Sequence, residues 1–150
     1  MIVVRRITDG IYAHFPIRFT EWIMAWPSIG MGLALTLQDD MFQTSPSYAT
    51  VANWADESVW AMMVLICASV RLLALIVNGT FRSFRYSPHF RLTASLVGML
   101  FWSQFAIGFL SAAIYGQGAL SAVVAYSTML VMEFANFYRS LVDVLRTKAR

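Results

Sequence analysis

Charge is scarce in this chain. Asp, Glu, Lys and Arg make up 13% of its 150 residues, where a soluble domain carries about 25%. Hydrophobic residues reach 59% and the mean hydropathy is +0.62. That excess is too large for one water-soluble core of this size, and it suits helices that face lipid. Cysteine is limited to Cys67, which excludes a disulfide framework within the monomer, and no Cys/His spacing for a metal exists. His14 and His89 have no partner ligands at metal-binding spacing, so neither a metal nor any other cofactor is expected. Also missing are GxSxG, a Gly-rich phosphate loop and HExxH. No soluble stretch is long enough to carry a catalytic cleft, and a non-enzymatic protein is expected. The net charge of +3 is small and localised. It reads as a topology signal, with no nucleic-acid sequence recognition expected.

What remains is a series of apolar runs. They define an all-α fold in a single membrane domain over 1–150, without repeat or linker. Residues 1–20 mix arginines with Ile, Val, Tyr and Phe and lack the apolar stretch of a signal peptide. They fit a helix in the headgroup region with Ile7, Ile11 and Phe15 on one side, broken at Pro16. Four transmembrane helices are expected over 21–37, 59–77, 92–115 and 119–138. The first carries an aromatic belt at Trp22 and Trp26 and a proline at Pro27 that is expected to kink it. Ser45-Pro46 and Ser87-Pro88 each match a helix cap followed by proline. The first reads as the start of a short interfacial helix with Tyr48, Val51, Ala52 and Trp54. Asp56 reads as the cap of the second span. The short Gly116-Gln117-Gly118 turn forces the last two spans into an antiparallel hairpin. A tail over 139–150 continues basic and amphipathic.

The 11 basic residues are distributed one-sidedly. Apart from Arg71, all lie in the N-terminal segment, in the loop with Arg82, Arg85 and Arg91, or in the tail. The first loop and the tight turn have none. With four spans the three basic regions share one side, which the positive-inside rule makes cytoplasmic, so both termini are expected inside. Arg82, Arg85 and Arg91 are expected at the surface, touching anionic headgroups or a partner.

Arg71 and Glu133 are charges well within spans. Counting back from the span ends at 1.5 Å per residue, Arg71 lies roughly 10 Å deep and Glu133 roughly 9 Å deep from the same side. Similar depth on different helices lets them pair, as an ion pair joining spans two and four; snorkelling to nearby headgroups, the lining of a polar path and a subunit contact are the alternatives. Glu21 is a third candidate, within reach of Arg18 as well. Ser69, Ser103, Gln104, Ser111, Thr128 and Asn136 are read as interhelical hydrogen-bonding groups, and Gly30, Gly32, Gly98 and Gly108 as small-residue packing faces.

Ser87-Pro88-His89-Phe90-Arg91-Leu92, Phe101-Trp102-Ser103-Gln104-Phe105, the run 129–133, and Asn136-Phe137-Tyr138-Arg139-Ser140 are together similar to small, uncharacterised multi-span membrane proteins encoded by tailed bacteriophages. The resemblance covers about half the chain and transfers no site residue. It implies a bacterial inner membrane, or packaging in a virion before insertion. Two functions are then expected in competition. One is an oligomer that forms or supports a pore, holin-like or delivering a genome. The other is a membrane-embedded accessory subunit or adaptor. A small transporter ranks third, since neither an inverted repeat nor a broken midplane helix is present.

Overall fold

A computed structural model describes the backbone of residues 2–38, 40–80, 86–116 and 118–148, and their side chains except at 2–4, 6, 78–80 and 148. Arg82 and Arg85 lie outside the described residues. Every described element is helical. In chain order these are α1 (Ile2–His14), α2 (Phe19–Leu37), α3 (Met41–Thr44), a 3-10 turn (Pro46–Tyr48), α4 (Ala49–Ala52), α5 (Glu57–Thr80), α6 (Ser87–Tyr115) and α7 (Leu120–Lys148).

Among the described residues, three stretches are long and apolar enough to cross a membrane: Glu57–Val77, Ser87–Tyr115 and Leu120–Thr147. The first expected span, α2, is not among them. Its 19 residues are diluted by Thr20, Glu21, Pro27 and Ser28, which lower its hydropathy without shortening it. The helix runs unbroken through Pro27. Helices α6 and α7 form the expected hairpin and share the most extensive packing in the fold. Both begin or end beyond the expected limits, because α6 includes Ser87–Arg91 and α7 continues to Lys148.

Four long helices run alternately up and down, as their end-to-end contacts show. Thr20, at the start of α2, bonds to Asn136 late in α7. The Ser87 hydroxyl at the start of α6 donates to the Ala74 carbonyl near the end of α5 at 3.2 Å. This is a tie between helices and not the expected cap, since Tyr86 holds the cap position and Ser87 is the first residue of α6. Gly32, late in α2, meets Val64 and Leu65 of α5. One end of the bundle therefore gathers Arg18, Arg91, Arg139 and Arg146, and the other holds Asp40, Asp56 and Glu57. Helix α1 packs against α5.

The segment after α2 forms the short helix expected from Ser45-Pro46, with Ser45 at the cap and Pro46 at the first helical position, and it folds inward over the bundle. Val51 is completely buried, and an added Cβ on Gly108 would stand 2.7 Å from its methyl group. Tyr48 stacks on Phe42 at 5.3 Å and sets its edge to Phe109 at 5.0 Å. Indole Nε1 of Trp60 donates to the Val51 carbonyl at 3.3 Å, and the Glu57 carboxylate accepts the Phe42 amide. Of the expected apolar face, Ala52 and Trp54 remain outside, Trp54 as a large exposed ring. Beneath this cover Trp60, Phe101, Trp102, Phe105 and Tyr126 fill the centre with edge and stacked contacts. In lipid there is no hydrophobic drive between helices, so close packing and polar ties carry the association.

Candidate buried charge clusters

Each long helix presents one inward stripe at helical spacing. On α5 it is Trp60, Val64, Ala68, Arg71 and Leu75, and on α7 Glu133, Asn136, Ser140 and Val144. Arg71 and Glu133 are thus core positions occupied by charge. The structure brings them together across 62 residues of sequence. Arg71 Nη1 lies 2.5 Å from Glu133 Oε1, and Nη2 lies 2.6 Å from Oε2. Two parallel bonds from a planar guanidinium to a carboxylate make the strongest pairing geometry available to these groups. The side chains are 2% and 0% exposed. An ion at such depth costs at least about 2.5 kcal/mol unless it is neutralised, and each of these neutralises the other.

Gly98 makes the approach possible. A Cβ built there would stand 2.6 Å from Glu133 Oε1 and 3.3 Å from Arg71 Nη2. The pair therefore passes over a bare patch of α6 backbone to join α5 to α7. Gly32 and Gly108 are likewise filled from within the chain, by Leu65 and Val51. Gly30 is not filled from within the chain. Nothing lies within 4 Å of its would-be Cβ, because it sits two residues, about 200° of helix rotation, from Gly32.

A second cluster lies at the basic end. Arg91 is buried on α6, one turn inside the helix. Its Nε donates to Glu21 Oε2 at 2.6 Å and its Nη2 to Oε1 at 2.5 Å, while Nη1 reaches Asp143 Oδ2 at 3.0 Å. This corrects the expectation that Arg91 belongs to a surface loop touching headgroups. It also assigns Glu21 to Arg91 instead of Arg71. Arg18 completes the cluster, donating to Asp143 Oδ2 from both terminal nitrogens at 3.3 Å and to Glu21 Oε1 at 3.4 Å. Burial, aided by the like charge of Arg91, pulls the Arg18 pKa below the ordinary arginine value. Two arginines and two carboxylates leave this inner network neutral.

Asn136 joins α7 to α2, accepting from the Thr20 hydroxyl at 2.6 Å. Ser103 and Thr128 instead bond back to Leu100 and Val124 on their own helices, which relieves their polarity locally. Among the described residues no group of three or more His, Cys, Asp or Glu side chains is placed to hold a metal. The Arg91 and Asp143 contacts went unread in the sequence. A signal existed, since Ser87, Arg91, Ala94, Ser95 and Gly98 share one face once the helix starts at Ser87. No protein-family model matches this chain, and neither does any curated protein or solved structure.

Proposed function

We propose that the chain is a non-enzymatic, four-span membrane protein with both termini cytoplasmic, and that it works as a membrane-embedded accessory subunit or adaptor. The observation that carries this reading is where the polar and small residues are spent. The intramembrane charges are paired inside one chain, and Gly32, Gly98 and Gly108 are filled inside one chain. A pore built from several copies needs polar or small surfaces turned outward; α7 does turn Ser121, Ala125 and Thr128 outward, but the large outward side chains of the three apolar helices include Met62, Ile66, Leu100, Ile107, Val124 and Val131. These suit lipid. A fourth span in α2 is supported by its length of about 28 Å and by its one acid, Glu21, being matched by Arg91. The segregation of arginines to one end of the bundle supports the orientation. The resemblance to phage-encoded proteins makes the bacterial inner membrane the compartment we propose.

The test is expression of the chain in bacteria followed by gentle detergent extraction. Copurification of one stoichiometric partner, with the membrane potential intact, is the expected result. Growth arrest with depolarisation and self-association alone would overturn the adaptor in favour of the holin-like or genome-delivery pore. A periplasm-dependent reporter fused after Arg150 is expected to stay silent, and a strong signal would overturn the topology.

A further inference from the structure

At the basic end, outside the neutral network, a cleft of about 410 Å³ opens between the start of α2 and the last turns of α7. That volume falls within the roughly 300–1,000 Å³ typical of small-ligand sites. Its wall holds four arginines, Arg18, Arg91, Arg139 and Arg146, against two acids, Glu21 and Asp143. The lining thus keeps two positive charges after the acids are matched. Arg91 is fully committed to Glu21 and Asp143 at the floor. The surplus lies with Arg139 and Arg146, which are both exposed. Arg139 spends one nitrogen on the Thr20 hydroxyl at 3.4 Å. Arg146 makes no ion pair with any described residue. Arg18 lies behind them, with both terminal nitrogens donating to Asp143 and one of them also to Glu21.

We propose that this cleft binds a phosphate-bearing anion, with Arg139 and Arg146 as its charged contacts and Arg18 behind them. Guanidinium groups match the oxygens of a phosphate in charge and in planar geometry. The cleft lies where α7 leaves its apolar stretch, and its rim carries the exposed side chains of Ile17 and Tyr138. An apolar rim beside a basic floor is the chemistry of a phospholipid headgroup site between helices. The inference rests on α7 being a membrane helix, not on the adaptor role or on which side the termini face.

The test compares the purified full chain with two charge-matched double variants, R139Q/R146Q and K148Q/R150Q. Thermal stability in a neutral detergent is read with phosphatidylglycerol, with phosphatidylcholine, or with inorganic phosphate added. The expected result is a rise in Tm with phosphatidylglycerol over phosphatidylcholine, kept by K148Q/R150Q. Loss of two surface arginines weakens the apparent affinity of R139Q/R146Q by roughly 30-fold, taking about 1 kcal/mol per residue. A rise with inorganic phosphate that vanishes in R139Q/R146Q supports the site with a soluble phosphate as its occupant. Equal responses from the two double variants, or no response of the parent chain to either phosphate source, would overturn the proposal.

Discussion

Replacing Arg71 by Met leaves Glu133 at 0% exposure with no counter-charge, and replacing Glu133 by Leu strands Arg71 in the same way. Removing one member of a buried pair costs about 3–5 kcal/mol. The bidentate contact and the depth of both groups place these variants in that range. For a chain of this size each kcal/mol moves Tm by about 2–4 °C. Each single variant is therefore expected to melt at least about 6 °C below the parent. The double variant R71M/E133L behaves differently. It removes both charges together and fills the space with apolar atoms, a change that is often neutral or stabilising. Independent sites would add to a loss of about 6 kcal/mol or more, whereas the double variant is expected to lose no more than about 1–2 kcal/mol. The assay is thermal or denaturant unfolding of the four proteins in one detergent, read as a double-mutant cycle. Additive losses, to within about 0.5 kcal/mol, would refute the claim that the two side chains hold each other.

Gly98→Ala is expected to cost about 1–3 kcal/mol, since its methyl group enters space taken by the Glu133 carboxylate. Gly30→Ala is expected to be neutral or to stabilise by up to about 1 kcal/mol through helix propensity, and melts of the two variants side by side check the contrast. Glu21→Gln weakens the carboxylate that receives two bonds from Arg91. It is expected to raise hydrogen exchange in the first turns of α2 and α6 while leaving the Gly32 crossing protected. Trp60→Phe keeps an aromatic ring against Phe101 and Phe105 but removes the donor to Val51. A loss of about 1 kcal/mol is expected, with faster proteolysis between α2 and α5 as the readout.

Arg71 and Glu133 were legible as partners because depth along a helix follows directly from residue counting. Their rotational position then decided whether they touched, and both fall on the inward stripe of their helices. The hairpin of α6 and α7 was legible for a similar reason, since so short a turn permits little else. Arg91 was misread because it was counted with the arginines that follow Gly79. The Ser87-Pro88 signal already placed the helix start upstream of it, and one turn of helix carries Arg91 to the face shared with Ala94 and Gly98. The two glycines of α2 show the same limit. Composition marks both Gly30 and Gly32 as small, and only the neighbouring helix distinguishes the one that is filled. The folding of Val51 onto Gly108 joins a loop to a helix more than fifty residues later, and no local pattern encodes that contact. The cleft of Arg18, Arg139 and Arg146 draws on opposite ends of the chain, so its charge excess becomes visible only when the bundle closes.

The bridge over Gly98 sets an order on how the chain is made. If α5 crosses the membrane as proposed, Arg71 enters with it, and its counter-ion follows 62 residues later on α7. Asp143, which completes the second cluster, arrives later still. A nascent chain that has inserted only as far as α6 therefore carries an unmatched guanidinium among its helices. Emergence of α7 removes that penalty, so the last helix acts as the step that locks the insertion of those before it.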